Sequence, residues 1–528
     1  MTRDTINNSV NKAGDRLAQL TMTMSPPSMG STPEAREKEA RREIEDRLRK
    51  DPGLPADSPT MSYWQDPEHP FAHSRSNTLP QGADVVIIGS GITSISTAQH
   101  LLRLEPQLKI IILEARAAIS GATGRNGGHI KASPWGDYSG LKALFGKESG
   151  MKIMKFRMAH LDAFCQEAAL LGEAGKPGLV RRTQSLSTSY DLKAWEGSKA
   201  CLTEFLEDFP QERGKWTAIE DRVELKNLGL SQEACGTIRG PEGAAWPYRF
   251  VGAVLKKLLN EGQVTLETHT PVTAVERSSS FTHPYRVQTT RGSISAKHVI
   301  HCTNGFAAHL LPALRGKLWP FRGQMTVQSV PPQFPRLGAE RSWSAIYRQG
   351  FDYITQSAGP DGCLYWGGGF LQKGSGIPSE EDNLAVQAQD LGCSDDSQLS
   401  LPCLERLETA AGRALEHGKE AQIVRKWTGI MGCTGDGLPL VGRLTKQWST
   451  REDCDPRVGG EWIAAGFNGF GMVNCWLTGK GLAHLVTGRE DQARPWFPID
   501  EFACKKERLD GMSPEGSISL FLDRLETW

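Results

Sequence analysis

The sequence predicts an α/β fold in which a parallel, helix-covered sheet is interleaved with an α+β domain built on a mixed or antiparallel sheet. Three observations predict it. Residues 84–88 are a β-branched run that passes directly into Gly89-Ser90-Gly91. A helical pattern follows (Ile92, Ile95, Ala98, Leu101, Leu102) and then a second aliphatic strand at 109–113, which together make a β-α-β unit. Sheet-like blocks at 322–330 and 343–370 stand apart from that unit and are followed by a return to strand, glycine loop and helix. A chain of 528 residues has room for this, at roughly 100 to 200 residues per domain.

Taken in order, residues 1–80 form an N-terminal extension whose first 30 residues are polar. Thr32-Pro33-Glu34 reads as N-cap, N1 proline and acidic first turn of a charged helix over 33–50, closed by Asp51-Pro52-Gly53. Its apolar stripe is thin (Ala40, Ile44, Leu48), so an exposed helix packed loosely on the body is expected, with a partner-binding helix as the alternative. Residues 54–80, with Trp64 and Phe71, read as an extended segment on a globular body. Helices are expected at 149–172, 191–209 and 249–261, and strands at 264–268, 272–277, 285–290 and 298–302. An acidic, serine-rich insertion (379–396) precedes a helix near 402–417. Residues 461–465 are a strand, 466–471 a glycine loop, and 473–487 a helix. The expected division assigns 82–177, 241–320 and 425–490 to the first domain, 178–240 and 321–424 to the second, and 491–528 to a tail.

Composition excludes several classes. Lys+Arg and Asp+Glu are 61 each, which removes the electrostatic reason to propose nucleic acid or an anionic membrane as the main partner. No stretch approaches the roughly 18 to 20 apolar residues of a membrane span. Neither a signal-peptide core nor a C-terminal address is visible, so cytosol is expected. The 11 cysteines are spread without a C-x-x-C, so neither a zinc knuckle nor a dithiol is encoded. Pro70 separates His69 from a helical pairing with His73, and His298 and His301 point to opposite faces of a strand; no metal site is expected.

The loop at Gly89 has the context that makes a G-x-G turn chemically meaningful. Gly89 permits the tight turn and Gly91 the approach of backbone to a pyrophosphate. Ile92 and Thr93 open a helix whose N–H groups and dipole favour that anion. Glu114, at the end of the next strand, can accept from ribose hydroxyls. The third glycine is replaced by Ser94, a small residue at the helix–strand contact. Gly374-Ser375-Gly376 repeats the lettering without a leading strand and reads as a surface loop. With one credible copy of the unit, a second, nicotinamide dinucleotide is not expected.

The residues that follow, G-A-T-G-R-N-G-G-H-I over 121–130, resemble the loop of the FAD-dependent D-amino-acid oxidase/glycine oxidase (DAO) superfamily, in its fungal and bacterial G-R-N-G-G form. Three further segments resemble the family in the same order: Thr270-Pro271-Val272; Val299 to Gly305; and Trp427 to Gly442, completed by Ala465 to Met472. The resemblance covers about 62–490 and implies a Rossmann-like FAD-binding domain of DAO type. It implies FAD contacts at Gly89, Ser90, Gly91, Ile92, Thr93, Glu114, Ala115, Arg116, Ala122, Thr123, Gly124, Arg125, Asn126, Gly127 and Gly128. Further contacts are implied at Val272, Thr303, Asn304, Gly305, Gly466, Asn468, Gly469, Phe470, Gly471 and Met472. Some relatives attach flavin covalently; here Arg125 and Gly429 stand where the attaching His or Cys is expected, and Cys433 is offset, so non-covalent FAD is expected.

The chemistry the resemblance implies is hydride transfer to flavin N5 from a carbon bearing an amine, in a small amine or amino acid, with O2 as acceptor and H2O2 as product. No strong general base is needed, so catalytic residues are hard to read. His129, Arg322 in the P-F-R-G-Q strand, and Gln324 are the candidates; Arg322 is either a carboxylate ligand or a structural ion-pair partner. Tyr248 is a weaker one, and Trp343, Tyr347, Tyr353 and Trp366 are either core or an aromatic cage for an amine. The alternatives are a flavin dehydrogenase or biosynthetic oxidase on a more elaborate substrate, and a catalytically silent FAD-binding interaction protein.

Overall fold

The computed structural model describes residues 33–348, 350–359, 361–370, 389–451, 454–455 and 458–519. In chain order its main elements are helix α1 (Pro33–Arg49), strand β1 (Gly82–Ile88), helix α2 (Ile92–Leu104), β2 (Ile110–Leu113), β3 (His129–Ile130) and helix α3 (Pro134–Leu171). Strand β4 (Arg181–Ser189), helix α4 (Leu192–Asp208), β5 (Thr217–Ile219), β6 (Gly236–Ala244) and helix α5 (Pro247–Asn260) come next. They are followed by β7 (Val264–Glu267), β8 (Val272–Arg277), β9 (Tyr285–Thr289), β10 (Gly292–His301) and β11 (Leu318–Ser329). The last are β12 (Arg341–Ile346), β13 (Phe351–Gln356), β14 (Leu364–Gly367), helix α6 (Leu401–Ala414), β15 (Gln422–Thr434), β16 (Leu440–Arg443), β17 (Gly460–Ala465) and helix α7 (Cys475–Val486).

These strands form two sheets. The first runs β16-β17-β10-β1-β2-β7, with β8 and β9 appended, and its centre is parallel: β1 pairs in parallel with both β10 and β2. Val85, Ile87, Ile110 and Ile112 are fully or almost fully buried beneath α2, as both-face burial of a parallel sheet requires. Because β1 feeds neighbours on both sides, the loops after β1, β2, β10 and β17 open at one edge, the crevice where α/β sheets take ligands. The second sheet runs β15-β11-β14-β13-β12-β4-β6-β3 and is mostly antiparallel, with β12 parallel to β4.

Several expectations change. The helix expected from 149 begins at Pro134; Gly146, at φ 80°, breaks it into two, and the glycines at 136, 140 and 146 hide the first half from a propensity reading. Strands β4 and β6 escape notice because they are rich in Ser, Thr and Gly, yet Ser185, Ser187, Thr188 and Ser189 are buried. Strand β15 pairs with β11 from Leu318 to Ser329, so the segment beginning at 425 starts inside a strand of the second sheet. The helix expected from 473 starts at Cys475 after a 3-10 turn, Gly471–Val473. In the tail expected over 491–528, among the described residues Phe497, Phe502 and Leu509 are buried in the two cores it crosses.

The N-terminal extension is also more firmly seated than its charge suggests. Ala40, Ile44 and Leu48 are each at most 1% exposed, and the last two pack with Trp319, Leu391, Cys433 and Ile518. Burying an Ile and a Leu contributes at most about 3 to 6 kcal/mol. The thin stripe is therefore docked on the body. The loop at Gly374 lies outside the described residues.

Candidate active site

A cavity of about 800 Å3 extends from the loops at the ends of β1, β2, β10 and β17 to the face of the second sheet, where β3, β4, β12 and β13 meet. At the first-sheet end, Gly89 has φ +100°, and a Cβ there would lie 2.7 Å from the Cys302 carbonyl oxygen. Only glycine fits. Gly91, the N-cap of helix α2, has no side chain to offer, and the Ile92 N–H donates instead to Thr123 Oγ1 at 2.9 Å. Glu114 accepts from the Ser90 N–H and hydroxyl on one oxygen and from the Arg116 N–H on the other, which fixes the carboxylate at the cavity wall.

The glycine-rich loop after β2 is held by side chains that sequence reading did not single out. Ser62 Oγ donates to the Gly124 carbonyl, Gln65 Nε2 to those of Ser120 and Gly124, and Trp64 Nε1 to that of Asn126. Arg125 donates to the carbonyls of Ser120 (2.8 Å), Thr428 (2.7 Å) and Thr60 (2.8 Å). Asp396 accepts from Arg116 on both oxygens, at 2.9 and 3.0 Å, and the second of these oxygens also stands 3.5 Å from Arg125 Nε. Burial pushes the Arg125 guanidinium down to about 10, with Asp396 supporting the charge and Arg116 opposing it; it remains protonated at neutral pH. Residues 379–388 of the acidic, serine-rich insertion lie outside the described residues; at its end Asp390 and Asp396 are buried.

At the second-sheet end, His129 lines the cavity, and both of its ring nitrogens are buried without a hydrogen-bond partner among the described residues. Burial, then the charges of Lys131 and Arg181, hold its pKa well below the ordinary value, so the imidazole is neutral. Lys131 Nζ rests between Ser185 Oγ (2.7 Å), Ser187 Oγ (2.8 Å) and Glu242 (3.1 Å). The ring of Tyr353 lies over Gly127, where a Cβ would come within 2.6 Å of it. The carboxylates lining the cavity among the described residues are Glu114 and Asp137, and Asp137 is paired with Arg157 at 2.9 Å. Arg157 also stands over the Phe470 ring at 4.6 Å.

Most of the expected contacts meet at this cavity, but not all. Gly124, Gly128, Gly305 and Gly466 are not among its lining: Gly128 presses on the Ala245 carbonyl, Gly305 on that of Met431, Gly466 on Thr434, and Gly124 on Ile119 and Gln65. These are glycines of chain-to-chain packing. Arg322 lines the cavity, but its Nε is committed to Asp390 at 2.6 Å. Gln324 also reaches the lining, yet its amide donates to the Trp427 carbonyl and accepts from the Ser400 N–H, which occupies both ends in holding strands together. Tyr248 is elsewhere, stacked on His69. Of the four aromatic residues only Tyr353 reaches the cavity; Trp343 and Trp366 are core, and Tyr347 pairs with Tyr190.

The donor set fits a long, anionic dinucleotide. Its backbone is glycine-rich where a pyrophosphate needs close approach, and the N-terminus of α2 opens onto it, while Arg116, Arg125, Lys131, Arg157 and Arg322 line it, each ion-paired with a carboxylate. The thiols of Cys403 and Cys475, which line it, are pushed up to about 12 by burial, and that of Cys302 is also raised. Protonated thiols are poor nucleophiles.

A family model described as DAO, FAD dependent oxidoreductase, matches residues 84–485. The chain is 23% identical over 444 residues to the gamma-glutamylputrescine oxidoreductase of Escherichia coli (strain K12), covering 81% of this chain and 89% of that protein. Among solved structures, glycine oxidase from Geobacillus kaustophilus matches with a TM-score of 0.59 at 18% identity, covering 81% of this chain and 99% of that one. L-proline dehydrogenase from P. horikoshii matches with a TM-score of 0.58 at 20% identity, covering 80% and 98%. At such identities these two show the fold.

Proposed function

The chain belongs to the DAO family of FAD-dependent oxidoreductases, and from that premise we propose that it oxidises the CH–NH bond of a small amine or amino acid, with O2 as final acceptor and H2O2 as product. FAD bound in the cavity supplies a hydride acceptor at its ring. The adenosine half is assigned to Gly89, Gly91, Glu114 and Val272, and the ring half to the region of Arg125, Asn126, Phe470 and Gly471, near His129. The same wall carries the remaining cofactor assignments, Ser90, Ile92, Thr93, Ala115, Arg116, Ala122, Thr123, Gly127, Thr303, Asn304, Asn468, Gly469 and Met472.

One observation carries this reading: the ring end of the cavity offers a neutral imidazole and paired ions in place of an unpaired carboxylate base. A hydride leaves most readily from a carbon whose amine nitrogen has an available lone pair. His129, neutral and in the positive field of Lys131 and Arg181, disfavours an ammonium and can accept a hydrogen bond from an amine N–H. We assign FAD as non-covalent, since Arg125 is tied into the loop and Gly429 carries no thiol. All eleven cysteines are free thiols, which supports a reducing, cytosolic location; among the described residues no helix is long and apolar enough to cross a membrane.

The test is turnover in air on a panel of amines and amino acids, with peroxide and the carbonyl product measured together. Equimolar peroxide and carbonyl product is expected. Carbonyl formation that requires an added electron carrier and yields no peroxide would replace the oxidase reading with a dehydrogenase. Acid precipitation should leave the flavin in the supernatant; a yellow pellet would overturn the non-covalent assignment.

A further inference from the structure

The geometry points to a piece of the N-terminal extension, Gly53–Pro55, as part of the wall that receives the adenosine end of the dinucleotide, with Leu54 contacting the base. This rests on the FAD reading above and adds to it a segment that lies before the region matched by the family model.

The turn after α1 is tied at both ends. Asp51 shares a hydrogen bond with His309 Nδ1 at 2.9 Å, accepts from the Gly53 N–H at 2.8 Å, and pairs with Arg315 Nη2 at 2.6 Å. Five residues on, the Ala56 carbonyl accepts from Arg116 Nη1 at 3.0 Å. Gly53, Leu54 and Pro55 span the interval and line the same cavity as Glu114, Ala115, Arg116 and Val272. The ties give these residues a fixed place at the rim.

Leu54 is what a purely structural strap does not explain. It is 43% exposed, although the turn that carries it is tied on both sides and lines the cavity. A held apolar side chain with an uncovered face at the cavity wall suits a flat, uncharged ring. The carboxylate of Glu114, which lines the same cavity, suits ribose hydroxyls. A base carrying a ribose satisfies both features.

The test uses full-length apoprotein with Leu54→Ser and Leu54→Met, measuring FAD affinity by flavin fluorescence and ADP affinity by competition. Leu54→Ser should weaken FAD and ADP alike, about five- to tenfold, from the apolar area no longer covered. Leu54→Met should stay within about twofold of the parent, and the melting midpoint of the apoprotein should not move in either variant. Unchanged FAD and ADP affinity in Leu54→Ser would overturn the inference, as would an equal loss in Leu54→Met or a loss accompanied by a lower apoprotein midpoint. A parent protein that binds neither FAD nor ADP would instead overturn the FAD reading itself.

Discussion

Asp396 is the shared counter-ion of two buried guanidiniums, and Asp396→Asn should cost the apoprotein about 3 kcal/mol. The carboxylate is 1% exposed and meets Arg116 at 2.9 Å and Arg125 at 3.5 Å, themselves 8% and 2% exposed as side chains. Asparagine keeps the shape but removes the charge and turns an N–H toward a guanidinium. No other carboxylate among the described residues pairs with either arginine. Removing one partner from a buried pair costs on the order of 3 to 5 kcal/mol. The low end applies because Arg125 keeps three carbonyl acceptors and Arg116 keeps that of Ala56. The assay is urea unfolding of the apoprotein, in which the midpoint falls by about 1 M if the urea dependence is about 3 kcal/mol per molar. Adding FAD should recover part of the loss, because the diphosphate supplies negative charge to the same wall. A change in apoprotein stability below about 1 kcal/mol would refute the claim that Asp396 neutralises this pair.

Three further substitutions are expected to separate fold from site. Gly89→Ala places a Cβ 2.7 Å from the Cys302 carbonyl at φ +100°, so FAD titration should show at least tenfold weaker binding and the apoprotein should lose about 1 to 3 kcal/mol. His129 has a depressed folded-state pKa, so the unfolded chain takes up a proton first; stability is lost as pH falls below 6.5 toward the folded value. His129→Phe should remove that component, read as a smaller difference between urea midpoints at about pH 7.5 and pH 5. Arg322→Ala strands the buried Asp390 carboxylate, so lower stability is expected, with KM rising for acids and simple amines alike. A KM rise confined to substrates with a carboxylate would show instead that Arg322 binds substrate.

The parallel half of the fold was legible because its signals are local. The run at 84–88, the glycine turn and Glu114 lie within one β-α-β unit, and the structure places them at the switch point of the first sheet. The second sheet was less legible: β4 buries serines and threonines that resemble loop residues until their partners on β6 and β12 are known. The site divides in the same way. Gly89, Gly91 and Thr123 are recognisable in sequence, whereas Gly128 and Gly305 look identical to them and serve packing against Ala245 and Met431. Asp396, Thr60 and Trp64 act on the glycine loop from 60 or more residues away, by contacts that no local pattern encodes. An alternation of small polar residues in 183–189 was the only signal that could have found the wall around Lys131.

The central claim is that this chain holds FAD and draws electrons from a carbon that bears an amine. The most direct measurement is visible flavin absorbance of the FAD-loaded protein when amines and D-, L- and N-methyl amino acids are added one by one without oxygen. The account predicts that at least one of them bleaches the flavin, and that air restores the colour with release of peroxide. Protein that retains its colour with every member of the panel, yet is bleached by dithionite, would contradict it.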